Sequence, residues 1–262
     1  MSSTVAKALT LLEHFSEDEP EIGLSGLARM SGLDKATVHR MLGAMADAGL
    51  LEQAEDTKLY RLGAGVLRLA RVRETAFPMA SVIEQALEDL AEQTGETAHA
   101  SLISGSALAT VGIRESIRSN RVSLVAGEIL PFHSTASGFA TLAFGSKDLR
   151  KRVYASVLKA RTDHTTTNAE TLRGLVERVE QLGYAVADQT NEEEVYGIAM
   201  PIFDRNGVAK GAMAVATPTH RINDALRNRI ISALVTASER VTSGTGGRLD
   251  KRFADMTRQF KS

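Results

Sequence analysis

The stretch Ala28-Arg29-Met30-Ser31-Gly32-Leu33-Asp34-Lys35-Ala36-Thr37-Val38-His39-Arg40-Met41-Leu42 decides how the first part of this chain is read. Gly32 is placed to supply the left-handed residue that closes a short helix begun near Ser25. Asp34 can then accept from free backbone N–H groups and open a second helix. Val38, Met41, Leu42 and Met45 recur at i, i+3, i+4 and i+7, which gives that helix one buried stripe. Its other side carries Lys35, Ala36, Thr37, His39, Arg40 and Gly43, donors interleaved with small side chains. Arg40 has the reach for phosphate or guanine, Lys35 and Thr37 sit where phosphates are held near a helix start, and Ala36 and Gly43 permit close approach. An ordinary solvated face is the competing reading, and what flanks the helix decides between them.

Upstream, Val5, Ala8, Leu9, Leu12 and Phe15 at helical spacing give an amphipathic helix, ended by the Glu-Asp-Glu-Pro run at 17–20. Downstream, Gly49 stops the central helix, and Leu50 to Leu62 predicts two short strands around Glu55-Asp56-Thr57-Lys58. Helix, short helix, helix and hairpin in this order make a winged helix-turn-helix over residues 1–62. Lys58 and Arg61 on the wing can meet the phosphate backbone or minor groove, with plain solubility of the hairpin as the equal alternative. Residues 63–77 predict a linker helix, and Pro78 suits the first position of the next one.

From 78 to 242 the pattern changes to a mixed α+β unit. A helix carries Met79, Val82, Ile83, Ala86, Leu87 and Leu90 inward. Strands are expected at 97–103, 107–113, 121–126, 184–188, 197–203 and 208–216, and helices at 135–144, 147–158 and 169–182. Asp204-Arg205-Asn206-Gly207 is a hairpin signal between the last two strands. A closing helix follows Asn223. Residues 243–262 read as a flexible joint at Ser243-Gly244-Thr245-Gly246-Gly247 and a basic amphipathic tail built on Leu249, Phe253, Met256 and Phe260. Contact with a partner subunit, contact with DNA and fraying are all open for that tail.

Composition narrows the function classes. The chain has 262 residues, 43% hydrophobic and 24% charged, enough to bury real cores. It has no cysteine, which excludes disulfides and thiolate metal sites. No apolar run approaches a membrane span, so a cytoplasmic protein is expected. Net charge is −1, and residues 1–72 hold eight Lys/Arg against ten Asp/Glu, which argues mildly against DNA binding. However, residues 58–73 carry Lys58, Arg61, Arg68, Arg71 and Arg73 with no acid, so one side can still be basic. His14, His39, His99, His133, His164 and His220 lack metal-ligand spacing, and neither a nucleophile elbow nor a phosphate loop is present; no cofactor or metal is expected.

Taken with the opening stretch, three further segments carry a resemblance: Leu130-Pro131-Phe132-His133-Ser134-Thr135-Ala136-Ser137-Gly138, Gly183-Tyr184-Ala185-Val186-Ala187-Asp188, and Ile198-Ala199-Met200-Pro201-Ile202-Phe203-Asp204. In this order and spacing the chain resembles the IclR family of bacterial regulators over nearly its whole length to about residue 242. The resemblance implies a winged-helix domain, a linker helix and a GAF-like effector-binding domain, paired as a dimer or dimer of dimers on a double-stranded operator. It implies a transcriptional regulator, a repressor in the first reading and an activator in the second. An effector-independent DNA binder and, further off, an enzyme with a small-molecule pocket are the alternatives.

The resemblance places the effector among His133, Thr135, Ala136, Ser137, Gly138, Ala187, Asp188, Gly197, Ala214 and Ala216. A physical reason supports 135–138, since a helix starts there whose free N–H groups and positive dipole end can receive a carboxylate. Thr135 and Ser137 add hydroxyls. Capping and packing of that helix is the competing role. Phe139 stands where the family usually has lysine, Ala187 where an acid is common, Gly197 where cysteine or another small residue is common, and Ala214 and Ala216 where serines are common. Each loses a polar group, which points to an organic acid larger or more apolar than glyoxylate or pyruvate.

Overall fold

In the computed structural model, which describes residues 4–16, 19–76 and 79–260, the chain divides into two units, Met1–Ala76 and Phe77–Ser262. The acidic pair at 17–18, Pro78 and Lys261 lie outside the described residues.

The first unit runs α1 (Thr4–Leu12), α2 (Leu24–Ser31), α3 (Lys35–Asp47), β1 (Leu51–Gln53), β2 (Tyr60–Leu62) and α4 (Ala64–Ala76). The stripe of Val38, Met41, Leu42 and Met45 is buried against Leu11, Leu27, Leu51 and Tyr60. β1 and β2 pair antiparallel with Leu51 opposite Leu62. Ile22 adds an isolated bridge to β2, exchanging both backbone hydrogen bonds with Tyr60 at 2.9 Å. Gly32 closes α2 at φ +68°, and Asp34 caps α3 by accepting from the Thr37 N–H at 2.8 Å.

The second unit runs α5 (Met79–Thr94), β3 (Thr97–Ser104), β4 (Ala107–Arg114), β5 (Ile129–Leu130), α6 (Ala136–Phe144), α7 (Lys147–Tyr154), α8 (Ala169–Leu182), β6 (Ala185–Asp188), β7 (Val195–Phe203), β8 (Ala209–Pro218), α9 (Asp224–Gly244) and α10 (Lys251–Thr257). Its sheet has the order β5-β4-β3-β8-β7-β6, with every neighbouring pair antiparallel. Strand alternation assigns the faces. Gly112, in the Ala100 row, meets Leu87 and Ile83 of α5, whereas Gly197, in the Thr97 row, meets Ala136 of α6. The sheet therefore separates α5 and α9 from α6, and side chains of both faces are buried.

Three expectations are corrected. Residues 121–126 form no strand; the edge strand is β5, at 129–130. The alternation of Val122 and Leu124 arises because they face a cavity and not a sheet. The Thr97 hydroxyl donates to the Val122 carbonyl at 2.6 Å, and a turn at Gly127, φ +80°, brings the chain back to pair. α7 stops at Tyr154, four residues short of 158.

The supposed joint at 243–247 is ordered by close packing. α9 continues to Gly244, the Gly247 N–H donates to the Thr242 carbonyl at 2.7 Å, and Arg248 N–H donates to the Asp204 carbonyl at 2.9 Å. A Cβ at Gly247 would stand 2.1 Å from the Phe203 carbonyl oxygen, so glycine is needed there for close approach. The tail helix α10 then buries Phe253 against its own unit, where its ring meets Phe144 edge-on at 5.5 Å and Phe203 at 5.1 Å.

Candidate DNA-reading face and ligand cavity

On α3 the residues opposite the buried stripe are solvent-facing: Lys35, Ala36, His39 and Arg40 are exposed, and Thr37 and Gly43 are half-buried. A Cβ built on Gly43 would touch nothing within 4 Å, so the helix offers open space there. Lys35, His39 and Arg40 make no ion pair among the described residues, which leaves their donors available. Thr37 is committed locally. Through its hydroxyl and its N–H it holds the Asp34 carboxyl below the usual carboxylate range, so it serves the cap before any phosphate.

The two wing cations differ. Lys58 is exposed at the tip with φ +57°. Arg61 is bonded to Glu52 and Glu21, each at 3.3 Å, and these carboxylates raise its pKa. Its charge is already matched, so the sequence expectation of two free wing cations reduces to one.

In the second unit, α6 is buried along its length and its first turn faces a cavity. The cavity is small, about 60 Å³, and opens to solvent on one side. Its floor comes from sheet register: Ala187, Gly197 and Ala216 lie side by side in one row, with Ala214 and His99 in the next. Ala136 and Ser137 of α6 form the roof, and Val122, Leu124, Leu130 and Val195 the apolar walls. Asn191 and Glu192 come from the loop between β6 and β7. That loop is fixed under the start of α6, since Thr190 donates to the Ser134 carbonyl at 2.6 Å and Ser134 to Asn191 Oδ1 at 2.9 Å.

The donors at the start of α6 are now countable. The Thr135 hydroxyl donates to the Pro131 carbonyl at 2.8 Å and accepts from the Gly138 N–H at 3.0 Å. It caps the helix and is spent. The N–H groups of Ala136 and Ser137, the first two positions of the helix, have no acceptor among the described residues, as helix starts leave them. The Ser137 hydroxyl lies 3.5 Å from His99 Nε2. Among the described residues no lysine or arginine lines the cavity. Burial lowers the His99 pKa to about 4 and keeps its ring neutral near pH 7.

Thr135, Ala136, Ser137, Ala187, Gly197, Ala214 and Ala216 thus converge, and three expected residues do not. His133 Nε2 bonds the Lys159 carbonyl at 2.8 Å outside the cavity. Gly138 supports the roof: a Cβ there would lie 2.3 Å from the Phe132 carbonyl oxygen. Asp188 is exposed on the strand face opposite to that of Ala187. Phe139 is buried in the core and does not line the cavity. Sequence reasoning missed Val122, Leu124, Leu130, Val195, Asn191 and Glu192. Only the alternation at 122 and 124 signalled anything, and it was ascribed to a strand.

Comparisons agree with this division. The IclR helix-turn-helix domain matches residues 4–55, and the model described as "Bacterial transcriptional regulator IclR C-terminal" matches residues 75–243. The chain is 28% identical over 248 residues to the HTH-type transcriptional regulator KdgR of Escherichia coli, covering 93% of each chain. A solved IclR-type regulator from Silicibacter sp. TM1040 superposes with a TM-score of 0.90 at 40% identity, covering 96% of this chain and 99% of that one. An IclR homologue from Microbacterium hydrocarbonoxydans, solved in complex with 4-hydroxybenzoate, has the same fold with a TM-score of 0.75 at 24% identity, over 93% and 99% of the two chains.

Proposed function

The chain belongs to the IclR family of bacterial transcriptional regulators, with a helix-turn-helix domain and an effector domain, and from that premise we propose that α3 reads an operator under the control of an organic acid held beneath α6. The observation that carries the sensing half is the pair of free N–H groups of Ala136 and Ser137 opening onto a mostly apolar cavity. Such a helix end holds a carboxylate without a cation. The 4-hydroxybenzoate complex of the Microbacterium homologue supports an organic acid as the ligand.

In this reading residues 1–62 read DNA, 63–77 link, 78–242 sense, and 243–262 brace the sensing unit. Lys35, His39 and Arg40 contact DNA, Ala36 and Gly43 admit the groove, and Lys58 meets the backbone. Two copies act together on linked half-sites. Exposed Val5 and Leu9 of α1 and Leu67, Leu69 and Val72 of α4 offer the apolar surface that a second copy covers. Among the described residues no helix is long and apolar enough to cross a membrane.

A gel shift on the regulator's own upstream DNA tests the reading half. Arg40→Ala is expected to lower specific affinity by about tenfold to a hundredfold; unchanged sequence-specific binding would remove α3 from the interface. Adding 4-hydroxybenzoate to the wild-type complex is expected to alter the shift, because an acid that favours one arrangement of the linked units changes operator affinity.

A further inference from the structure

The floor of the cavity is made almost wholly of methyl groups and bare backbone. Ala187, Gly197 and Ala216 in one row and Ala214 in the next give it no branched side chain. The roof is close: the position a Gly197 Cβ would take lies 3.4 Å from the Ala136 Cβ.

Where the second row reaches β3, the pattern breaks with His99. Its residue surface is 8% exposed, its Nε2 has only the distant Ser137 hydroxyl, and its Nδ1 has no partner among the described residues. Buried polar atoms are ordinarily satisfied, so an imidazole left open beside a cavity is matched to something that enters it. The same end of the cavity holds the Ser137 hydroxyl and the two free N–H groups. One carboxylate can satisfy this group of donors. A second carboxylate on the same molecule finds no lysine or arginine among the described residues that line the cavity, and the Glu192 carboxylate there repels it.

We propose that His99 is the specificity-determining residue of this cavity, and that with Ser137 it admits acids with a single carboxylate on an apolar body while excluding dicarboxylates of similar outline. The inference rests on the ligand site proposed above and adds the residue and the charge limit. Because burial disfavours the imidazolium, His99 serves as a neutral donor and supplies no charge for a second anion.

Calorimetric titration of the full chain with 4-hydroxybenzoate and terephthalate, which share a benzoate and carry a hydroxyl or a second carboxylate at the para position, tests this. Wild type is expected to bind the monocarboxylate at least about tenfold more tightly. His99→Leu is expected to weaken 4-hydroxybenzoate by a similar factor, and His99→Gln, which keeps a donor, to recover most of it. Equal binding of the two acids, or unchanged binding by His99→Leu, overturns the proposal. Gly197→Val separates the two levels, because it sets a branched side chain on the cavity floor against Ala136. Retained binding in that variant overturns the ligand site itself, whereas loss there with full binding in His99→Leu overturns only the role of His99.

Discussion

The starts of α3 and α6 follow the same local rule in opposite surroundings. Each is capped by a side-chain oxygen that accepts from the third helical N–H, Asp34 from Thr37 and Thr135 from Gly138. At α6 the first two N–H groups, on Ala136 and Ser137, have no acceptor among the described residues, whereas at α3 the Ala36 N–H also turns to the Asp34 carboxyl. The exposed start carries a charged cap and the buried start a neutral one. Asp34 offsets the positive end of the α3 dipole, so phosphate attraction at that end falls to the Lys35 and Arg40 side chains. Thr135 offsets nothing, and the dipole of α6 remains for an anion in a place where no basic side chain competes. In the proposed reading one rule of capping serves a reader of DNA and a receiver of acids, and cap charge with burial tells them apart.

The largest test of this contrast is pH. His99 is depressed to about 4 when folded against an ordinary value of 6.5, so the unfolded state binds the extra proton between those values and stability falls as pH drops. Urea melts of the sensing unit are expected to lose up to about 1.4 kcal/mol per pH unit across that window, and His99→Leu to lose this contribution. Next comes the buried cap. Thr135→Val leaves the Gly138 N–H and the Pro131 carbonyl without their bonds, and a loss of about 1–3 kcal/mol is expected in the same melts.

The exposed cap should respond less. Asp34→Asn keeps an acceptor for the Thr37 N–H and removes the charge, so operator affinity in a gel shift is expected to rise about twofold to fivefold. A fall would place Asp34 in a direct role that the cap geometry does not suggest. The smallest effect belongs to the wing: Arg61→Ala, whose guanidinium is already paired with Glu21 and Glu52, is expected to change operator affinity by less than about twofold, whereas Lys58→Ala lowers it more.

What was legible in the sequence follows from the range of the interactions. The stripe of α3, the cap at Asp34 and the hairpin at 50–62 depend on neighbours within a few residues, and the winged helix-turn-helix emerges from them with its domain order. The converging positions of Thr135, Ala136, Ser137, Ala187, Gly197, Ala214 and Ala216 came from the family resemblance, because their meeting depends on sheet register over distances that no local pattern encodes. Register also explains the failures. Asp188 follows Ala187 in sequence but points to the other side of the strand. Asn191 and Glu192 sit in a polar loop that reads as solvent until Thr190 and Ser134 are seen tying it under α6. Charge argued against DNA binding because it was summed over the whole unit, although Arg61 and the acids around it cancel locally.

Phe253 gives the tail a meaning that its glycine-rich approach conceals. Its ring, together with that of Phe203, seats Phe144, the last residue of α6, while the first turn of the same helix faces the cavity. A cut between Thr245 and Lys251 would therefore remove one wall of the socket in which α6 is set. The segment that looks like an appendage is a buttress, and damage to it would be felt at the opposite end of the helix.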